Sequence, residues 1–282
     1  MTVETVFEIK PLSPAIGVEV GGVDLAAPLP ETDFARIRRA WEENCIVLFR
    51  GQTLGEQEQV AFASRFGTLG TNVNETDPLK LGGHPAVLYV SNIRIDGKLT
   101  GILPDGEMFF HSDTCYLERP AMASMLYAME LPSAGGHTLY ANGFAAYDAL
   151  PEGLKRRLAG LRALNVYDYD GSPTHRAATL PPGVKQYVHP VIRSHPPTGR
   201  KSLYVNRLMT WAILDMPEEE SRALLEFLFD HQEEPRFVYE HQWRLGDVIL
   251  WDNRSCLHAR TDFDPDERRR LRRVTVLGEK PV

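Results

Sequence analysis

Residues 246–273 read GDVILWDNRSCLHARTDFDPDERRRLRR, and residues 109–113 upstream read FFHSD. His111 and Asp113 lie two positions apart, so on a β-strand both side chains leave the same face of the sheet. His258 follows the apolar segment 248–253, which predicts a second buried strand far downstream. Only a closed or folded-over sheet brings these three residues together, so the pattern favours an antiparallel sandwich or barrel that carries helices on one side.

These three side chains form a candidate metal site. Two imidazoles and one carboxylate on one face of a divalent ion leave open coordination positions, which suits non-haem Fe(II) oxygen chemistry. A lone His-x-Asp pair is weak, because a chain of 282 residues can contain one by chance. The apolar Phe109 and Phe110 before the pair, and the apolar strand before His258, strengthen the assignment. A zinc hydrolase with the same ligands is the alternative from another enzyme class, and a catalytically silent binding protein of the same fold is a third hypothesis.

A basic run, RRRLRR at residues 268–273, follows His258 after a short turn. The intervening sequence DFDPD at 262–266 has the composition of a turn. We therefore expect residues 257–260 to pair antiparallel with residues 269–277 as the two strands of a hairpin.

Alternation along the second strand of this hairpin separates the arginines into two sets. Arg269 and Arg273 share one face, roughly 13 Å apart at about 3.3 Å per residue, and Arg273 lies roughly across from His258. Arg270 and Arg272 point to the other face, which we expect to be solvated. A guanidinium buried on the first face is an unpaired charge unless it meets an anion. The pattern therefore favours a site for a carboxylate-bearing ligand.

Size and composition exclude several classes of function. A length of 282 residues allows one large or two small domains, and the net charge of −7 disfavours nucleic-acid binding as the main function. The N-terminus does not have the pattern of a secretory signal, and no apolar run approaches the roughly 18 residues of a membrane span. Three cysteines without a CxxC spacing fit a reducing compartment, so we expect a cytoplasmic protein.

Hydrophobic periodicity divides the chain into parts. Residues 7–66 predict a β-α-β-α scaffold, and residues 108–277 predict mainly strands with a helical insertion at 144–161. The segments 71–106 and 172–185 are rich in Gly and Pro, as loops that cover a functional site often are.

Further short motifs occur in order along the chain. They are GGVDL at 21–25, LFRGQ at 48–52, FG at 66–67, GGHT at 135–138, HPV at 189–191, YVN at 204–206 and WDNR at 251–254. Taken with the candidate metal residues, these ordered matches cover nearly the whole chain and are specific. In them the chain resembles the Fe(II)/2-oxoglutarate-dependent dioxygenases of the taurine dioxygenase and 2,4-dichlorophenoxyacetate dioxygenase type, the TauD/TfdA family.

The resemblance implies a fold, a set of site residues and a reaction. The fold is mainly β with helices (α+β), a double-stranded β-helix or jelly-roll core with a helical N-terminal scaffold and an insertion, in a single domain over residues 1–282. His111, Asp113 and His258 would bind Fe(II), Thr138 and Arg269 would hold the distal carboxylate of 2-oxoglutarate, and Arg273 would meet an anionic group of the substrate. The reaction would consume O2, convert 2-oxoglutarate to succinate and CO2, and hydroxylate the substrate. We also expect a homo-oligomer, either a dimer or a tetramer.

Three positions depart from the family pattern. His137 stands where the family has Asp, and Glu107 stands where members of the taurine type have Asn, four residues before the first iron His. Those members also carry a His soon after the Phe-Gly pair, whereas residues 68–72 read TLGTN. These differences argue against taurine. Glu107 would bring a negative charge near the substrate, either pairing with Arg273 or meeting a cationic group.

For the substrate we favour a small carboxylate such as an aryloxyalkanoate, with a sulfonate or sulfate ester as the alternative within the family. Tyr167, Tyr169 and Met209 are candidates for the pocket wall or, equally, for core or rim packing. We interpret the remaining histidines as structural or surface residues.

Overall fold

A computed structural model describes residues 7–71, 82–102, 106–167, 179–180 and 182–282. Its strands are β1 (Glu8–Pro11), β2 (Val18–Gly21), β3 (Ile46–Phe49), β4 (Val87–Ser91), β5 (Arg94–Ile95), β6 (Lys98–Leu99), β7 (Met108–His111), β8 (Ala121–Glu130), β9 (Thr138–Asn142), β10 (Arg162–Val166), β11 (Gln186–Pro190), β12 (Ile192–Ser194), β13 (Lys201–Leu203), β14 (Thr210–Ile213), β15 (Val238–His241), β16 (Val248–Asp252), β17 (Cys256–Arg260) and β18 (Arg270–Leu277). Its helices are α1 (Glu31–Asn44), α2 (Glu56–Ser64), α3 (Gly143–Asp148), α4 (Glu152–Leu158) and α5 (Glu218–Gln232). None of these helices is long and apolar enough to span a bilayer.

Two sheets form the centre of the molecule. The larger has the strand order β1-β2-β3-β16-β8-β18-β4, and the smaller has the order β15-β9-β17-β7. Within these two sheets only β2 and β3 pair in parallel, and the other strand pairs are antiparallel. Most neighbours in the sheets come from distant parts of the chain, so residues far apart in sequence are placed side by side.

One apolar layer joins the two sheets. Leu126 of β8, Trp251 of β16 and Leu271 of β18 come from the larger sheet, and Tyr140 of β9 and Cys256 of β17 come from the smaller. All five are buried and belong to one hydrophobic cluster. Because strand side chains alternate between faces, each strand contributes every second residue to this layer.

The outer face of the larger sheet is covered by α1 and α2. Their apolar sides meet at Phe34, Trp41 and Phe62, with Phe66 beyond the end of α2. The rings pack edge to face, with centroids 5.0 Å apart for Phe34 and Phe66 and 5.2 Å apart for Trp41 and Phe66. Burying each such ring contributes about 1.5–3 kcal/mol. The predicted N-terminal β-α-β-α scaffold is therefore confirmed in its element order.

The insertion has its own apolar cluster, which contains Leu225 and Leu228 of α5 together with Leu203 and Ile213. The helix predicted over 144–161 is two helices, α3 and α4. They are separated at Pro151, whose ring cannot continue a helix from the preceding turn. The short strands β10 and β14 were not predicted. Each has five residues or fewer and is held by pairing with its neighbours in the sheet β11-β10-β14.

The hairpin predicted from the turn at 262–266 is wrong. Strand β17 lies in the smaller sheet between β9 and β7, whereas β18 lies in the larger sheet between β8 and β4. Both strands have neighbours on each edge, so neither edge is open to the other. The turn therefore carries the chain across from one sheet to the other.

The expectation of a solvated second face on β18 is also wrong for Arg272, which is only 4% exposed. Its Nε donates to Gln59 Oε1 at 2.6 Å, and its Nη2 donates to the carbonyls of Leu54 and Gly55 at 2.7 and 2.8 Å. The reason is α2, which covers this face and presents carbonyl groups at its N-terminal end.

Candidate active site

Strand pairing brings the two predicted imidazoles together. In the register of β17 and β7, His258 lies directly opposite His111, and the ring centroids are 4.0 Å apart. Asp113 follows two residues after His111, and its Oδ1 lies 3.8 Å from His258 Nε2. One ligand atom from each of the three residues lies within 4.8 Å of the others, and all three residues are buried. The structure therefore brings the three predicted ligands together in an arrangement that could hold a metal ion.

Asp113 is held through its backbone and through both oxygens of its carboxylate. Its Oδ2 accepts a hydrogen bond from Ser124 Oγ at 2.6 Å, and its backbone N–H donates to Asn253 Oδ1 at 3.2 Å. Its Oδ1 is 2.7 Å from Nη2 of Arg273. Burial alone raises the pKa of this carboxyl, but the Arg273 charge, the two imidazoles and the Ser124 hydroxyl outweigh it and hold the pKa below its ordinary value. Asp113 is therefore an anion at neutral pH.

The two imidazoles are neutral and suited to metal binding. Burial lowers the pKa of His111 and lowers that of His258 still more clearly. The Nδ1–H of His111 donates to the Phe109 carbonyl at 2.8 Å, which leaves the Nε2 lone pair for a metal. The Nδ1 of His258 is buried and has no hydrogen-bond partner among the residues that the structure describes. Two neutral nitrogens and one carboxylate fit a divalent ion such as Fe(II).

A cavity next to this site contains the predicted cosubstrate residues. Its wall includes His111, His258, Thr138, Arg269 and Arg273. Apolar residues complete it: Val90, Met108, Leu126, Trp251, Ala259 and Leu271. A charged ligand bound here would thus be enclosed by apolar surface and would lie beside the metal residues.

Arg269 is 2% exposed, and its Nε and Nη2 donate to the Gly136 carbonyl at 3.3 and 3.1 Å. In the described part of the chain, no carboxylate lies within ion-pair distance of this guanidinium. Burial lowers its pKa, and the nearby charge of Arg260 lowers it further, to about 9. A buried guanidinium of this kind is costly unless an anion neutralises it. The geometry therefore supports an anionic ligand at Arg269.

Gly136 is required for this approach. Its φ of +64° is left-handed, and a Cβ added there would lie 3.0 Å from Arg269 Nε. The close approach of Arg269 thus explains the second glycine of the GGHT motif.

Arg260 lines the same cavity and was not singled out from the sequence. It is 7% exposed, and its Nε and Nη2 donate to the Gly106 carbonyl at 2.9 and 2.6 Å. Its position in the sequence could have indicated this role. Arg260 lies two positions after His258 on β17, and strand side chains at i and i+2 share a face.

A second cavity also borders the metal residues. It is lined by His111, Asp113 and Arg273 together with Tyr116 and Arg119. The remaining wall is largely apolar and includes Leu88, Ile102, Met108, Leu117, Tyr167, Met209 and Leu277. The rings of Tyr116 and Tyr167 pack edge to face, with centroids 4.9 Å apart. Tyr167 and Met209 thus contribute to the pocket wall, whereas Tyr169 lies outside the described residues.

Comparison with known proteins identifies the family. A model of the "Taurine catabolism dioxygenase TauD, TfdA family" matches residues 8–275. The chain belongs to this family.

Individual relatives of the TauD/TfdA family match over almost the full chain. An alpha-ketoglutarate-dependent 2,4-dichlorophenoxyacetate dioxygenase of Cupriavidus pinatubonensis is 34% identical, with 97% of this chain and 98% of the relative covered. An alpha-ketoglutarate-dependent sulfate ester dioxygenase of Pseudomonas putida is 32% identical, with 98% and 91% covered. The crystal structure of a taurine dioxygenase from Burkholderia xenovorans has a TM-score of 0.82 at 32% identity, with 98% of this chain and 91% of that chain covered.

Membership of the TauD/TfdA family fixes the reaction class. The protein is a 2-oxoglutarate-dependent dioxygenase, an oxidoreductase that uses Fe(II), 2-oxoglutarate (alpha-ketoglutarate) and O2. The buried donor set of two neutral imidazoles and one ionised carboxylate fits this metal. The zinc-hydrolase hypothesis and the silent-binding hypothesis are therefore set aside.

Two residues that depart from the TauD/TfdA pattern lie away from the metal residues. Glu107 is exposed and does not line either cavity, and Arg273 pairs with Asp113 rather than with Glu107. His137 is paired through Nδ1 with Glu240 at the surface and is not part of the metal cluster.

Proposed function

We propose that this dioxygenase hydroxylates a small organic anion, with an aryloxyalkanoate-like or other carboxylate favoured. In this proposal His111, Asp113 and His258 bind Fe(II), and Arg273 binds the anionic group of the substrate. The observation that carries it is the position of Arg273, which contacts Asp113 at 2.7 Å and lines both cavities. An anion held by this guanidinium would lie close to the metal.

Thr138 and Arg269 bind the distal carboxylate of 2-oxoglutarate. Arg269 supplies a buried positive charge, and Thr138 lines the same cavity with a hydroxyl group. When bound, Fe(II) and 2-oxoglutarate together activate O2 and leave succinate and CO2 as coproducts. The surrounding sheets, which we propose to form a double-stranded β-helix, exclude water and keep the ligand charges fixed in place.

The second cavity holds the body of the substrate. Its wall of aliphatic and aromatic side chains favours an apolar or aromatic group, and the Tyr116–Tyr167 pair offers ring surfaces for one. Arg119 at this wall is exposed and forms no ion pair with a described residue. The cavity therefore suits a substrate with an apolar body and one anionic end near Arg273.

A sulfonate or sulfate ester is the alternative substrate class. It is favoured by the resemblance to a relative that is named as a sulfate ester dioxygenase, and Arg273 can bind a tetrahedral anion as well as a planar one. Taurine itself is disfavoured, because Glu107 replaces an Asn of the taurine type and residues 68–71 contain no His. A direct role of Glu107 in substrate binding stays a prediction.

A screen of succinate release tests the proposal. The chain loaded with Fe(II) is assayed with 2-oxoglutarate and a panel of aryloxyalkanoates, alkyl carboxylates, alkyl sulfates and sulfonates, with taurine included. We expect stimulation by at least one carboxylate, no stimulation by taurine, and no turnover when zinc replaces iron. Stimulation by sulfates alone would favour the alternative substrate class, and the absence of 2-oxoglutarate consumption with any compound would contradict the proposal.

A further inference from the structure

The hydroxyl group of Thr138 has an unusual hydrogen-bond arrangement. Thr138 is 4% exposed, and its Oγ1 lies 3.0 Å from the indole Nε1 of Trp243. An indole N–H can only donate. Thr138 Oγ1 is therefore the acceptor in this bond, and its own proton must point elsewhere.

That proton has no acceptor within the described part of the protein, where the only side-chain bond of Thr138 is the one from Trp243. A buried hydroxyl donor without an acceptor is costly. Thr138 lines the cavity that also contains Arg269. The hydroxyl proton of Thr138 is therefore available to a ligand that binds in this cavity.

The indole is itself held firmly. Its ring packs edge to face on His241, with centroids 4.6 Å apart. His241 is 0% exposed, and its Nε2 lies 3.1 Å from Asp247 Oδ2. Asp247 in turn is bound by Arg50 Nη1 at 2.6 Å.

The position of the threonine is fixed by the sheet. In the register of β15 and β9, His241 lies opposite Thr138, and Trp243 follows two residues later. The donor and its acceptor are therefore held by the same edge of the smaller sheet.

We propose that Trp243 is a positioning residue for 2-oxoglutarate. It fixes the Thr138 hydroxyl so that this group donates its proton to the distal carboxylate bound by Arg269. This inference rests on the proposed cosubstrate site. Without the indole N–H the hydroxyl can rotate and use its proton elsewhere, so a preorganised donor is lost.

Binding of 2-oxoglutarate to the full chain loaded with redox-inert Mn(II), measured by titration calorimetry, tests the inference. Thr138→Val removes the hydroxyl and keeps the shape, and we expect it to weaken binding roughly 10-fold or more. Trp243→Phe removes the N–H and keeps an aromatic ring, and we expect weakening of roughly 3- to 10-fold. In the double variant the Trp243 change should add less than about twofold, because its effect passes through the hydroxyl.

Trp41→Phe is the matched control, since Trp41 is a buried indole in another cluster and its Nε1 has no hydrogen-bond partner in the described part of the chain. It should leave 2-oxoglutarate affinity unchanged. If Trp243→Phe weakened 2-oxoglutarate binding equally in the unmodified chain and in the Thr138→Val variant, the inference would be overturned. Unchanged affinity in Thr138→Val would overturn it as well, a result that does not depend on the folding of the Trp243 variant. Failure of the unmodified chain to bind 2-oxoglutarate would overturn the proposed cosubstrate site itself, so the two failures are distinguishable.

Discussion

Arg273 and Asp113 form a largely buried ion pair, with Nη2 2.7 Å from Oδ1. The same carboxylate oxygen lies 3.8 Å from His258 Nε2. The substrate-binding arginine of the proposal thus contacts a proposed metal ligand directly. Arg273 is therefore in a position to influence both substrate binding and the charge of the metal site.

Arg273→Ala is expected to uncouple the reaction. Without the guanidinium the substrate anion has no fixed partner near the metal, so hydroxylation should fall to background. Consumption of 2-oxoglutarate should continue at a low rate that no longer responds to the substrate. Parallel measurement of succinate and hydroxylated product checks this expectation.

A competing explanation is that Arg273 serves only to neutralise Asp113. In that case the variant would change metal affinity, and substrate-stimulated turnover would return at saturating Fe(II). Product formation at the wild-type rate in Arg273→Ala would remove the anion-binding role altogether.

His258→Ala is expected to abolish metal binding and 2-oxoglutarate turnover while the fold is retained. The imidazole supplies one of three ligands, so metal affinity should fall by more than about 100-fold, beyond the loss typical of changes around the ligands. Equilibrium binding of Mn(II) or Fe(II) measures the effect directly.

His137→Ala is the matched control for that variant. His137 is also a histidine beside a family motif, but it is paired with Glu240 at the surface. It should keep metal affinity and turnover. Wild-type turnover in His258→Ala would show that the third ligand has been assigned wrongly.

Arg269→Lys is expected to raise the KM for 2-oxoglutarate strongly. A lysine cannot reproduce the two-pronged guanidinium contact with a carboxylate. Loss of a charge-assisted pair in a desolvated site costs about 2–5 kcal/mol, which corresponds to at least a roughly 30-fold weaker interaction. The neighbouring Arg268→Lys is the control, because Arg268 is exposed and pairs with Glu130. An unchanged KM in Arg269→Lys would move the anchoring role to another arginine.

The metal residues could be predicted because their signals are local. The i, i+2 spacing of His111 and Asp113 fixes their common face, and the apolar segment before His258 predicts a buried strand. The alternation of side chains along a strand also predicts that Arg269 and Arg273 face the same side. In the structure both residues line one cavity.

Strand partners could not be predicted in the same way. The composition of residues 262–266 indicates that the chain turns, but it does not say which sheet edge is open to the returning strand. Arg272 is buried because the N-terminal end of α2 supplies hydrogen-bond acceptors for its guanidinium. Trp243 donates a hydrogen bond to Thr138, which lies 105 positions earlier in the sequence. Such contacts depend on the assembled fold and leave no local pattern.

The acid sensitivity of the fold supplies a last prediction. Burial lowers the pKa of His189 to about 4, and its Nε2 donates to the Leu117 carbonyl at 2.8 Å. The unfolded chain binds a proton at this residue near pH 6.5, whereas the folded chain does so only near pH 4. The stability that neutral His189 contributes is therefore fully present above pH 6.5 and is lost as the pH falls from 6.5 to 4. The free energy of unfolding falls by at most about 3 kcal/mol through this residue.

His111, His241 and His258 have pKa values shifted in the same direction, so the metal-free fold should weaken steadily across this window. Asp113 and Asp252 have lowered pKa values, and their losses begin as the pH approaches the ordinary Asp pKa of about 4, so they are small above about pH 4.5. His189→Gln keeps an amide N–H for the Leu117 carbonyl and removes the titration. We expect urea unfolding of the chelated protein to show a flatter dependence on pH between 4.5 and 6.5 for this variant, a window that follows from the two pKa values above. Parallel curves for the variant and the unmodified chain would mean that His189 takes no part in the acid response.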